Sequence, residues 1–335
     1  MLMLDVYLRW HHFATEALDY PVHNAITLDN IDRVVVAGMG GSGVVGDMLA
    51  SIASDFSDLD IHVSKDFYIP KRLLTPNTFV IAISYSGNTI ETIAAVTSCL
   101  EQGIKVGIVT SGGKLVEIAK SRFLPYVIVR GGLMPRLALP AMLIASAKLL
   151  AGCGLEPVPI DILKQSIAVL KQTDNAMNTA KYLSELLYRS SMPTIIASRR
   201  YWALALRFKN ELNENSKMPA KVEVLPELFH NDIVGYEGVS RRDVAILIDS
   251  DIEYENRLIK FYNDYLQSRG MEAFILKLSG NIIERFMLGS LIAGIASVYT
   301  ATRKGVDPST THSTDLYKNF VKGLEKEVLD YHRTS

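Results

Sequence analysis

Cysteine, net charge and long apolar runs are all scarce in this chain, and each shortage argues against a class of function. Only two cysteines, Cys99 and Cys153, occur in 335 residues. Neither has a CxxC spacing or a histidine beside it, which disfavours a disulfide framework, a zinc cluster and thiol redox catalysis, and fits a reducing cytoplasm. Lys plus Arg total 35 against 36 Asp plus Glu, a formal charge of -1, so bulk electrostatics draw the chain to neither nucleic acid nor an anionic membrane. The longest apolar stretch, Ala138 to Ala151, contains Pro140 and Lys148 and falls short of a bilayer span. The start, Met1 to Trp10, carries Asp5 and lacks a basic region followed by a cleavage site, so no signal peptide is expected.

What is present describes a soluble globular protein. Hydrophobic residues make up 48% and charged residues 21%, close to ordinary usage. The length exceeds the roughly 100 to 200 residues of one domain, so two are expected. Short β-branched runs at Val34–Ala37, Ile61–Ser64, Thr78–Ile83, Lys105–Thr110 and Tyr126–Val129 read as strands, and helical patterns such as Ser42–Ile52, Thr89–Gln102 and Lys114–Ser121 lie among them. Alternation of this kind implies a doubly wound parallel sheet whose ligands bind at the carboxyl ends of its strands. Gly152-Cys153-Gly154 followed by Pro157-Val158-Pro159 is the best linker signal, which divides the chain into 1–152, with an N-terminal helix, and 153–335, with a connecting and a C-terminal helix. The second part repeats the theme: a helix over Asp161–Leu187, strands at Pro193–Ser198, Val222–Leu225, Val244–Ile248 and Glu272–Lys277, and helices over Arg199–Ser216 and Ile282–Arg303.

Two turns stand out at strand ends. Gly38-Met39-Gly40-Gly41-Ser42-Gly43 and Ser84-Tyr85-Ser86-Gly87-Asn88-Thr89 each follow an apolar run and open a helix. Little side-chain bulk at such a turn lets backbone N–H groups and the helix N-terminus face an anion, with Gly40 and Gly41 giving the approach. The hydroxyls of Ser42, Ser84, Ser86 and Thr89 add donors around a compact, multi-oxygen group, which suggests a terminal monophosphate. Gly38-x-Gly40-x-x-Gly43 also satisfies the dinucleotide fingerprint, but a dinucleotide gives no reason for three hydroxyls in the second turn. A glycine turn serving only tight packing is the plain alternative.

Further along, Lys209-Asn210-Glu211-Leu212-Asn213-Glu214-Asn215-Ser216-Lys217 closes a helix with two carboxylates three residues apart, where the helix dipole favours cations. A solvated face explains most such runs; two acids in an unfavourable place suggest a use. His230 lies in a loop after Val222–Leu225, and with a glutamate it could supply general acid–base chemistry. The other histidines show no metal-ligand spacing. Arg136, behind Pro135 and a Gly-Gly turn, and Lys318, read as the start of a final helix, each look like surface charges by position alone, although a guanidinium suits a developing oxyanion.

Taken together, the two turns, Asn210-Glu211-Leu212-Asn213-Glu214-Asn215, Pro135-Arg136, Leu225-Pro226-Glu227 with His230-Asn231, and Asp307-Pro308 leading to Lys318 resemble the bifunctional phosphoglucose/phosphomannose isomerases of the sugar isomerase (SIS) superfamily over nearly the whole chain. The resemblance implies two flavodoxin-like SIS domains and a cytoplasmic homodimer of glycolysis and gluconeogenesis with shared active sites. It implies a hexose 6-phosphate held by Gly40, Gly41, Ser42, Ser84, Ser86 and Thr89, and neither metal nor cofactor. Glu214 corresponds to the catalytic base, Arg136 to the enediolate stabiliser, and His230 to a ring-opening histidine from the neighbouring subunit. Lys318 corresponds to a further ring-opening or substrate contact, and Thr311 to a threonine that leaves room for C2 epimers. Phe229 departs from the pattern, which carries a second histidine there. A non-catalytic sugar-phosphate regulator is the main rival, although the residues before the first strand are too few for a helix-turn-helix domain; a nicotinamide-dependent dehydrogenase is the other.

Overall fold

The computed structural model describes residues 2–238, 243–324 and 326–328. By contacts the chain forms two compact units. The first comprises residues 11–165 together with the described residues from Thr311 onward; the second comprises 166–310 together with the described residues up to Trp10.

In the first unit five parallel strands, β1 (Arg33–Ala37), β2 (Asp60–Ser64), β3 (Thr78–Ile83), β4 (Lys105–Thr110) and β5 (Tyr126–Ile128), stand in the order β2-β1-β3-β4-β5. This is the flavodoxin-like order, in which the chain reverses direction of growth between β1 and β3. Val34, Val35 and Val36, like every residue of β3, are buried, as expected where helices cover both faces and β-branched side chains fill the pleat. The second unit carries β6 (Thr194–Ser198), β7 (Lys221–Leu225), β8 (Val244–Ile248) and β9 (Glu272–Leu276) in the order β7-β6-β8-β9, again parallel. Its order repeats that of the first four strands of the other sheet. Both units are therefore doubly wound parallel α/β domains.

The units divide at residue 165, not at the linker signal near 153. Cys153 and Val158 are fully buried, and the Cys153 carbonyl accepts from the Leu28 N–H at 3.0 Å, so that segment is packed into the first unit. The terminal helices also group oppositely to the sequence expectation. Met3–Leu8 belongs to the second unit because Tyr7 lies fully buried there, donating to Glu211 at 2.7 Å. Its ring occupies the space a Cβ on Gly294 would need. Burial raises the Tyr7 hydroxyl's pKa, and the Glu211 charge adds to the effect.

Other departures are local. The helix expected over Asp161–Leu187 is interrupted: Ile167–Lys171 is a tighter 3₁₀ segment, with Ile167, Val169 and Leu170 all buried, before Thr173–Tyr188 resumes. Helix Glu253–Ser268 was not read in the sequence; it buries Ile259, Tyr262, Asn263 and Leu266 along one stripe. The final helix runs over His312–Gly323, so Lys318 stands within it, not at its start. Among the described residues two helical stretches, Pro135–Gly152 and Ile282–Lys304, are long and apolar enough to cross a membrane, but 78% and 89% of the residues in their most apolar windows are buried within the protein. Ile282–Lys304 packs on Thr173–Tyr188 and Trp202–Ser216, which makes it the central helix of the second unit.

Replacing Gly294→Ala should therefore cost about 1–3 kcal/mol of stability by driving a methyl into the Tyr7 ring. The expected reading is a lower urea midpoint at unchanged slope; an unmoved midpoint would mean that Tyr7 does not fill that notch.

Candidate active site

Both polar turns sit at the carboxyl ends of β1 and β3, the neighbouring strands at which the first sheet reverses. Backbone crowding dictates glycine there. A Cβ on Gly38 would lie 2.8 Å from the Ile83 carbonyl oxygen, and one on Gly43 2.6 Å from that of Gly38. Gly87 takes a positive φ of 65° and faces the Gly112 carbonyl so closely that a Cβ would overlap it.

Each hydroxyl makes a hydrogen bond within or between the two turns. Ser42 Oγ accepts from the Tyr85 N–H at 3.3 Å, and Ser84 Oγ donates to Thr89 Oγ1 at 3.1 Å. Ser86 Oγ accepts from the Asn88 N–H at 3.2 Å and is exposed, whereas Ser42 and Ser84 are buried. Thr89 is the N-cap of helix Ile90–Glu101 yet makes no capping bond from its side chain, and Met39 likewise leaves the N-terminus of Gly40–Phe56 uncapped by a side chain. Two helix N-termini with hydroxyls between them form a cradle with the chemistry of an anion site.

A third turn braces it, and the sequence reading missed it. Ser111 Oγ donates to the Tyr85 carbonyl at 2.7 Å, and Thr110 Oγ1 to that of Gly112 at 2.8 Å. The signal was present in Thr110-Ser111-Gly112-Gly113, another hydroxyl–glycine turn at a strand end. Lys65, just past β2, was missed as well: it pairs with buried Asp47, and its Cε would lie 3.0 Å from a Cβ on Gly43.

Arg136 is not a surface charge. It is only 4% exposed, and its Cα would lie 3.5 Å from a Cβ on Gly41. Pro135 and Arg136 form the first turn of the 3₁₀ segment Pro135–Ala138, and that backbone lies on the glycine turn. The C-terminal helix approaches the same region through Tyr317, whose hydroxyl donates to Glu91 at 2.6 Å, two residues beyond Thr89. Thr311, half-buried, is this helix's N-cap, and Lys318 is exposed.

Glu214 and His230 belong to the second unit. Glu211 and Glu214 do not share one solvated face. Glu211 is buried, ion-paired with Arg207 and accepting from Tyr7 and, at 2.8 Å, from Asn215 Nδ2. Glu214 is half-buried in the last turn of Trp202–Ser216, and Lys217 Nζ donates to its carbonyl at 2.6 Å. The awkward acid pair at a helix C-terminus thus has a structural half, Glu211, which ties down the turn bearing the other. His230 is exposed at the end of the 3₁₀ turn Glu227–His230. Phe229 beside it packs on Phe261 and edge-on against Tyr262. Asp232 anchors the loop, pairing with Lys221 and accepting from Tyr262 Oη at 2.8 Å. Burial raises the Tyr262 hydroxyl's pKa, with Asp232 adding to it.

Family models match in both parts of the chain: a SIS domain over residues 27–124 and a bacterial phospho-glucose isomerase C-terminal SIS domain over 176–321. The bifunctional phosphoglucose/phosphomannose isomerase of Aeropyrum pernix is 32% identical over 327 residues, spanning 94% of this chain and 97% of that protein. The chain belongs to this isomerase family. Family membership displaces the dinucleotide reading of the glycine turn. A D-glucosamine-6-phosphate 4-epimerase from Sulfolobus acidocaldarius is 31% identical and covers 91% of this chain and 93% of its own length. Among solved structures, the C-terminal domain of glucosamine-fructose-6-phosphate aminotransferase from Francisella tularensis shares the fold, with a TM-score of 0.73 at 14% identity, over 92% of this chain and 98% of that one.

Gly87→Ala should weaken glucose 6-phosphate binding about tenfold or more, because it combines a strained φ with a backbone clash. Gly103→Ala shares the positive φ, at 72°, but meets nothing within 4 Å, and serves as the control. Equal affinity of both variants in titration calorimetry would remove the cradle from the binding site.

Proposed function

We propose that this enzyme interconverts glucose 6-phosphate and mannose 6-phosphate with fructose 6-phosphate. The observation that carries the reading is a buried guanidinium, Arg136, seated by its own backbone against a hydroxyl-lined anion cradle, in a chain akin throughout its length to a named phosphoglucose/phosphomannose isomerase.

The roles follow from what aldose–ketose isomerisation requires. Ser42, Ser84, Ser86 and Thr89, with the open backbone at Gly40 and Gly41, hold the phosphate and so fix the register of the sugar carbons. After ring opening, Glu214 removes the proton from C2; that C–H pair forms the C1–C2 double bond and the carbonyl pair passes to O1, giving an enediolate, and once the hydroxyl proton has moved from O2 to O1 and the C2 carbonyl forms, Glu214 returns its proton to C1. A carboxylate is far too weak a base to do this unaided, so most of the barrier must fall by stabilising the new oxyanion, which is the task of Arg136. His230 assists ring opening, and Lys318 makes a further ring-opening or substrate contact. Because the enediolate is planar at C2, return of the proton to either face yields glucose or mannose configuration, and Thr311 leaves space for both.

His230 is exposed in the described chain. That exposure supports its contribution to the site of a neighbouring subunit in a homodimer, which light scattering would test. A cytoplasmic place in glycolysis and gluconeogenesis goes with this reading.

Incubation with fructose 6-phosphate should yield both aldose 6-phosphates; formation of neither would defeat the proposal. Glucosamine 6-phosphate belongs in the same assay, since a 4-epimerase of that sugar stands at similar identity, and exclusive turnover of it would move the reaction from C2 to C4. Glu214→Gln should lower kcat by roughly 10²–10⁴ while sparing sugar-phosphate affinity, the expectation for a lost general base. Near-normal turnover would reject that assignment. His230→Ala should slow cyclic substrates more than pre-opened ones, and equal slowing would deny it a part in ring opening.

A further inference from the structure

We infer that Tyr317 is a positioning residue, whose hydrogen bond to Glu91 seats the C-terminal helix on the phosphate-binding helix and so delivers Lys318 to the sugar. The inference rests on the isomerase reading above for the role of Lys318, and on contacts within the first unit for everything else.

The geometry is specific. Glu91 is only 5% exposed and lies in the first turn of Ile90–Glu101, the helix opened by the hydroxyl turn. Tyr317 Oη donates to Glu91 Oε1 at 2.6 Å, and this charge-assisted bond is the one that spans 226 residues of sequence to reach it. The rest of the C-terminal helix is weakly held. Val321 is its buried residue, whereas Leu316 and Phe320 are 71% and 68% exposed. Lys318 follows Tyr317 directly, and its ammonium is 3.9 Å from Asp315 on the same helix. An exposed ion pair at that distance fixes a lysine poorly. Orientation of the helix therefore depends on the tyrosine, and placement of the ammonium depends on the helix. Because Glu91 is two residues past Thr89, the anchor point is in the element that grips the phosphate. Distance between the phosphate and the ammonium is then set by one hydrogen bond, independently of the cradle's own affinity.

This separates binding from turnover. Tyr317→Phe keeps the ring and removes only the donor. It should lower kcat roughly tenfold, the scale of one lost hydrogen bond to a charged group, with KM within about twofold. Lys318→Ala should show a comparable loss, and the double variant should be no slower than Lys318→Ala alone, since both changes remove the same group from the site. Multiplying losses would overturn the proposal, as would full activity in Tyr317→Phe. Amide hydrogen exchange across 312–323 reads the latch without turnover: exchange should be faster in Tyr317→Phe, and equal protection overturns the latch even if the enzyme is fully active. If Lys318→Ala is fully active while Tyr317→Phe still frees the helix, the role given to Lys318 fails, and delivery by the latch fails with it. If wild-type protein converts no hexose phosphate, the functional reading fails by itself, and the exchange experiment still judges the contact.

Discussion

Backbone meets backbone at the carboxyl ends of β1 and β3, and much else follows from that crowding. Gly38 lies under the Ile83 carbonyl, Gly43 under that of Gly38 and Gly87 against Gly112, so the backbone within and between these turns packs more closely than any side chain would permit. Such proximity lets Ser42 reach the Tyr85 N–H, so that the two turns are joined by a hydrogen bond. It also admits the Pro135-Arg136 backbone against Gly41. Packing thus gathers hydroxyls and helix N-termini at these strand ends in a chain whose formal charge is -1.

The second sheet repeats the strand order but not the chemistry at the same strand ends. After β6 and β8 come Arg200 and Asp251, joined by two bonds of 3.0 Å, and Asp249, paired with Arg285 at 3.0 Å. Burial works against the Asp251 charge, yet the Arg200 fork outweighs it and holds the carboxyl below its usual range. Carboxylates and arginines satisfy one another at these strand ends of the second unit. One architecture can serve as a binding site or as a sealed support, depending on a few residues at its loops.

Much of this was legible beforehand for a physical reason. Buried parallel strands write themselves as short valine- and isoleucine-rich runs, and turns where backbone crowds backbone write themselves in glycine. Side chains whose environment is made by distant sequence were less legible. Arg136 looked like surface charge because nothing local reveals that a glycine turn from far earlier in the chain covers it. Glu211 looked equivalent to Glu214 because its partner, Tyr7, arrives from the other end of the chain. The helix Glu253–Ser268 did carry a readable stripe of Ile259, Tyr262 and Leu266, but its many charges masked it. The Gly152-Cys153-Gly154 signal misled because glycines that punctuate a chain also occur where a packed helix simply ends.

Each terminal segment is built into the unit that the opposite half of the chain supplies. Neither half is therefore a self-sufficient gene fragment. Cutting at the middle would leave one piece without the helix that carries Tyr317 and the other without Tyr7, each burdened with a stray end. Dissecting the enzyme into its two lobes calls for transplanting those ends.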